Sequence, residues 1–239
     1  MLSAGDRLRF TATGVQSQLA ALPDRVAHAL GLRKDRLARL DVTAVERPDG
    51  AAAREVEAAM EQFPEYLWHH SHRTYLWALA LAAYDKTLVD EELLYCACLM
   101  HDAGLPDVGD RGDGSCFTLT SAERAGDCVQ RASWDADRSH RLREAITLHI
   151  NPTVALDEHG PEAHLLADAA TLDGIGRYFW RLHPATVGAV LEAHPRKGFK
   201  TAVDALLRAE AASAPECRIA FLYRVGRLGK LLKAAPFAE

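Results

Sequence analysis

Residues 93–107, LLYCACLMHDAGLPD, are apolar from Leu93 to Met100 and then change character at His101 and Asp102, with Gly104 closing the segment. Leu, Ala and Met are good helix formers, and a run that is apolar on every side belongs inside a domain. The spacing therefore predicts a buried helix that ends on adjacent imidazole and carboxylate. Two physical readings fit that ending. A protonated histidine interacts favourably with the negative end of a helix. Alternatively, the pair holds a metal ion.

Working outward, helical periodicity recurs in almost every window, and β-branched runs are few. Amphipathic helices are expected near 15–31, 52–63, 67–84, 90–103, 119–134, 137–150, 161–180, 184–194, 200–212 and 215–233. RPDG at 47–50 reads as a turn, and Pro64, Pro152 and Pro161 mark boundaries. The Gly- and Asp-rich stretch PDVGDRGDGSC at 106–116 is the longest loop candidate and reads equally as a lid or a plain surface loop. LDVTAV at 40–45 is a short strand signal. The expected fold class is all-α: a single helical-bundle domain over 51–239, with residues 1–50 as a helical extension packed on it. CRIAFLYRVGRLGKLLKAAP, near the end, is expected to be one basic amphipathic helix whose Leu and Phe stripe packs on the domain.

A chain of 239 residues is long enough for a sizeable core, and 49% apolar with 26% charged residues is ordinary for a globular protein. A net charge of −5 offers no electrostatic footprint for nucleic acid. Five cysteines without framework spacing, and an N-terminus without an apolar signal core, lead to the expectation of a reduced, cytoplasmic protein. No apolar stretch is long and clean enough to span a bilayer. The chain lacks a P-loop, a G-x-G-x-x-G fingerprint and a G-x-S-x-G elbow. The expected partner is a small-molecule substrate, with no nucleic acid and no membrane; a homo-oligomer is left open.

Chemistry-bearing residues fall in three clusters. YLWHHSHRTYLWALALAA places His69, His70 and His72 at the start of an apolar helix. His101-Asp102 ends the next one, and HLLADAATLDGIGRYFW carries Asp168 and Asp173 on a third. A bundle can aim such residues at one centre. Imidazole nitrogen with carboxylate oxygen suits Mn, Fe, Ni, Co or Zn. A bound cation lowers the pKa of coordinated water and polarises a substrate oxygen.

HHSHRTYLWA, LLYCACLMHDAGL and LLADAATLDGIG resemble the three signatures of the HD superfamily of metal-dependent hydrolases, and within it the subgroup containing cyanamide hydratases. That subgroup reads N-H-S-x-R-T/V-Y at the first motif. The resemblance puts His70 on the ligand position and His69 where Asn is usual. LTSAERAGDCV is similar to a Glu-x-x-Gly element, with Glu123 and Gly126 in its places, and REAITLHINP sets His149 on an Ile-x-x-His position. The resemblance spans residues 66 to 178. It implies one divalent transition metal held by His70, His101, Asp102 and an acid of the third motif. Relatives often read D-A-D-x-L-D there, whereas this chain reads D-A-A-T-L-D, with Ala170 in place of the middle carboxylate. Asp168 and Asp173 lie about 140° apart around a helix, so one ion does not take both. Asp168 is expected as the ligand and Asp173 as an acid–base or supporting group, with the reverse assignment open.

His140 and His149 sit about 180° apart on one expected helix, which favours a mononuclear site unless Glu123 joins His149 as a bridging ligand. The implied reaction is attack by metal-activated water. Asp102 or Asp173 orients or deprotonates the water, and His149 or Glu123 donates a proton. Arg73 and Arg177 are candidates for neutralising an anionic substrate. Asp157, His159, His164, His183 and His194 read as ordinary surface residues. The leading substrate class is a phosphate ester, nucleotide-like. The alternative is hydration of a small nitrile-type substrate, as in cyanamide hydratase. A non-catalytic ligand-binding scaffold and a di-iron oxygenase are further alternatives. A phosphate requires several convergent cations, whereas a nitrile requires an apolar pocket.

Overall fold

The 93–107 segment forms the central helix of a layered bundle. The computed structural model describes residues 3–32, 37–108 and 115–239. In chain order the helices are α1 (Ala4–Ala29), α2 (Ala51–Met60), α3 (Glu65–Asp85), α4 (Glu91–Met100), α5 (Phe117–Arg131), α6 (Ala136–Leu148), α7 (Leu156–Ile175), α8 (Pro184–Ala193), α9 (Phe199–Ser213), α10 (Arg218–Arg224) and α11 (Leu228–Ala234). The fold is all-α. Among the described residues the only β pairing is one isolated bridge, Ala38 with Leu182.

Asp90 starts α4 by accepting the Leu93 N–H on its side chain at 3.0 Å, a standard cap. Every residue from Leu93 to Met100 is buried. The helix packs against α2, α3, α5, α6 and α7 at once. Burying each of its leucines contributes on the order of 1.5–3 kcal/mol. α3 is the second core element. Trp77, Leu81 and Leu67 are fully buried along it, and it runs against α7. α7 closes with Gly176 at φ +74, a left-handed position that suits glycine. A Cβ there would also come within 2.2 Å of Pro236 Cδ, which brings the C-terminal tail down onto α7.

Several expectations change. α1 begins at Ala4 rather than near 15, because Ser3 and Asp6 form a reciprocal capping box. The 40–45 segment is a single 3-10 turn, Val42–Ala44, capped by Asp41. The expected 161–180 helix starts earlier, at Leu156, and turns through Gly160 at φ +78. The expected single helix over 215–233 is two short ones, α10 and α11, separated at Arg227 with φ +54. Most of the candidate lid, positions 109–114, lies outside the described residues. No helix among the described residues is long and apolar enough to cross a membrane.

Candidate metal centre

α3, the end of α4 and the end of α6 meet at one buried point. His70 is on the second turn of α3. His101 and Asp102 follow α4 directly, and His149 follows α6. Gly104 lets the chain after Asp102 press against α5: a Cβ would fall 2.6 Å from the Phe117 carbonyl oxygen and 2.8 Å from Thr120 Cβ. Its N–H donates to Ser121 Oγ at 2.9 Å. This contact fixes where His101 and Asp102 point.

His70, His101 and Asp102 each offer a ligand atom within 4.8 Å of the others. His70 Nε2 is 3.1 Å from His101 Nε2. Both are 3.5 Å from Asp102 Oδ2. The other ring nitrogens are committed elsewhere. His101 Nδ1–H donates to the Cys98 carbonyl at 2.8 Å, and His70 Nδ1–H donates to Asp173 Oδ2 at 2.7 Å. With Nδ1 protonated, a neutral imidazole has only a lone pair at Nε2. Two lone pairs and a carboxylate therefore face one another. His149 repeats the pattern: its Nδ1–H donates to the Ile146 carbonyl at 2.7 Å, and its Nε2 lies 3.5 Å from Asp102 Oδ1. A buried point surrounded by acceptors requires a proton or a cation. Two imidazoles and a carboxylate suit a divalent transition metal, with outer hydrogen bonds fixing each ring, as in established metal sites.

Electrostatics reinforce this arrangement. Burial opposes the Asp102 charge, but His101, His149 and His70 overcome it and hold its carboxyl well below the usual range. Burial pushes His101 down to about 3, with Asp102 working the other way. His70 also suffers from burial, yet the Asp102 and Asp173 carboxylates leave its pKa raised.

Asp173 is fully buried behind His70. Its two oxygens accept from Arg73 Nε at 2.8 Å, Arg73 Nη2 at 2.9 Å and Trp77 Nε1 at 2.8 Å, besides His70. Arg73 also donates to the carbonyls of His194 and Pro195, so its charge is spent behind the centre. Asp168 is not part of the group. It sits with His164, whose Nε2 is 3.7 Å away, and is hydrogen-bonded to Tyr178. The face of α7 toward the centre carries Ala170, Thr171, Gly174 and Ile175. Position 168 is about 200° around the helix from position 170, which turns the expected ligand Asp168 away. Glu123 is exposed on α5 and does not line the cavity. His140 is exposed while His149 is buried at the site.

His69, His72 and His194 form a separate group around Trp68. His72 Nδ1–H donates to the Trp68 carbonyl, and its ring stacks on His194. His194, expected on the surface, is buried, and burial pushes its pKa to about 3. Phe199, which gave no sequence signal, packs its ring 4.5 Å from that of His70.

The centre opens into a cavity of about 460 Å³. Phe10, Val15 and Leu19 of α1 line it opposite the histidines, together with residues of α9, α10 and α11. Arg177 is the only Lys or Arg among the described lining residues, and it donates to the Pro152 carbonyl.

The HD domain family model matches residues 67–171 of this chain. Two Saccharomyces cerevisiae proteins, cyanamide hydratase DDI2 and cyanamide hydratase DDI3, are each 29% identical to it over 173 residues, covering 67% of this chain and 74% of theirs.

Proposed function

We propose that the chain is a metal-dependent hydratase of the HD type that adds water to an uncharged, nitrile-type carbon, a reading supported by the HD domain match over residues 67–171 and by the 29% identity to cyanamide hydratases. One observation carries the choice over a phosphate ester: the cations stand behind the acceptor cluster, not in front of it. Arg73 and Arg196 bind Asp173 from the rear. In the cavity, Arg177 is the only Lys or Arg among the described lining residues, and its Nη1 donates to the Pro152 carbonyl. A phosphate ester would carry at least one negative charge into this apolar space with the bound ion as its main counter-charge and no set of converging Lys or Arg side chains among the described lining residues, which is costly.

His70, His101 and Asp102 are the proposed ligands of one divalent ion. When bound, the ion supplies Lewis acidity toward water and the electrophile. His149 Nε2 is free to take a proton from the attacking water and return it to the substrate nitrogen. The overall addition is R–C≡N + H2O → R–C(=O)NH2. Asp173 is a positioning residue: it keeps the His70 proton on Nδ1. Arg73 and Trp77 hold Asp173. Residues 1–50 act as an extension whose helix α1 covers the cavity of the 51–239 domain.

The test is a reconstitution panel. Protein loaded in turn with Mn, Fe, Ni, Co or Zn is given cyanamide, phosphate monoesters and nucleotides. Urea formation without phosphate release is expected. Phosphate release without hydration would overturn the proposal.

A further inference from the structure

The cavity is far larger than a three-atom electrophile, and most of its lining outside the histidine–aspartate cluster is apolar. One end holds His70, His101, Asp102 and His149. Beyond the cluster the walls are mostly Phe, Val, Leu and Ile side chains from α1, α9, α10 and α11, with Thr11, Ser17 and Gln18 of α1 among the lining as well. Phe10 packs edge-on against Phe221, which joins α1 to α10 across the cavity. At the mouth, Val15 and Leu19 line the opening while remaining 55% and 61% exposed. An aqueous channel for a small polar molecule has no use for an apolar rim. A volume of about 460 Å³ lies in the range that encloses drug-sized ligands.

We infer that the site takes a neutral molecule whose water-accepting carbon carries a bulky apolar substituent, with the head at the histidine–aspartate cluster and the substituent beneath α1. This rests on the hydration reading for the head group alone; the apolar compartment stands on the cavity walls. The chemical class is an alkyl- or aryl-substituted cyanamide or nitrile. The balanced step for a substituted cyanamide is R–NH–C≡N + H2O → R–NH–C(=O)–NH2. Water's oxygen bonds to the carbon, one of its protons passes to the nitrile nitrogen to give the isourea, tautomerisation moves the second proton from that oxygen to the same nitrogen, and nothing leaves. Burying the substituent supplies binding that the small head cannot.

Binding and turnover are measured separately on the full chain. N-methyl-, N-butyl- and N-hexylurea, which carry the product's head group, are competed against the neutral dye Nile red, with and without metal. The corresponding N-alkylcyanamides are assayed for turnover. Affinity is expected to rise about threefold to fourfold per methylene, and kcat/KM to rise along the same series. Val15→Asp, at an exposed position that tolerates a charge, should weaken hexylurea at least fivefold more than methylurea. If affinity rises with chain length but no cyanamide turns over, the apolar-substrate inference stands and the hydration reading fails. If cyanamide is hydrated but affinity is flat or falls with chain length, the inference is overturned and the hydration reading stands. Tighter binding of a phosphate ester than of hexylurea would also overturn it.

Discussion

His70 donates its Nδ1–H to Asp173 Oδ2 across 2.7 Å, and the same carboxylate receives both Nε and Nη2 of Arg73. This chain fixes the His70 tautomer and leaves Nε2 facing His101. Asp173→Asn keeps the shape and removes the charge. Arg73 would then be a fully buried cation without a carboxylate. The expected losses are about 10–100-fold in metal affinity and about 3–5 kcal/mol in stability. Chelator competition and thermal unfolding measure the two.

The proton on His70 sets a pH dependence. Its pKa in the metal-free protein is raised above 6.5: burial opposes the charge, but Asp102 and Asp173 prevail. Metal must displace that proton. Affinity is therefore expected to fall by about one decade per pH unit below the His70 pKa and to level off above it. His101, held near 3, adds no slope between pH 5 and 8. The metal-free protein should show the opposite trend in stability. The His70 contribution is full below 6.5 and is lost as pH rises through the folded pKa. Chelator competition and calorimetry from pH 5.5 to 8 resolve both. A metal affinity that is constant over that range would contradict the assignment of His70.

Asp168 gives a contrasting case. Burial raises its pKa above 3.8, against the pull of His164, Arg177 and Arg181. A raised carboxyl gives stability that is full below 3.8 and lost as pH rises through the folded value. Asp168→Asn has no such loss. Its Tm relative to the wild type should therefore climb from pH 4 to pH 7, while metal content stays at the wild-type level. A loss of metal in this variant would restore Asp168 as a ligand.

The first two motifs were legible because each is local. His101-Asp102 ends a helix that is apolar on all sides, and His70 begins another. The third motif was harder. The helical repeat correctly separates Asp168 from Asp173, but it does not say which face of α7 meets α3. That is decided by long-range packing: Asp173 is drawn toward Arg73 and Trp77, leaving Ala170 on the cavity. The cover formed by α1 was not legible either, since Phe10 and Phe221 come from opposite ends of the chain. The split between α10 and α11 follows from a left-handed residue, Arg227, whose side chain carries no signal for that conformation.

In the sequence Gly104 marks only the end of the 93–107 segment, and the structure gives it a packing role. A Cβ would overlap the Phe117 carbonyl oxygen and Thr120. Gly104→Ala should cost about 1–3 kcal/mol and loosen the metal, because the turn that aims Asp102 must shift. Unfolding midpoints together with metal retention test this. An alanine variant with wild-type stability would mean that α5 yields freely.

Metal content per chain is the most direct test of the acceptor cluster. Purified wild-type protein, loaded and freed of excess ion, should hold about one equivalent of divalent transition metal. His101→Ala should hold less than about a tenth of that while keeping its helical circular dichroism. A folded wild-type chain that retains none of Mn, Fe, Ni, Co or Zn, or a His101→Ala variant that binds as much as the wild type, would contradict the account.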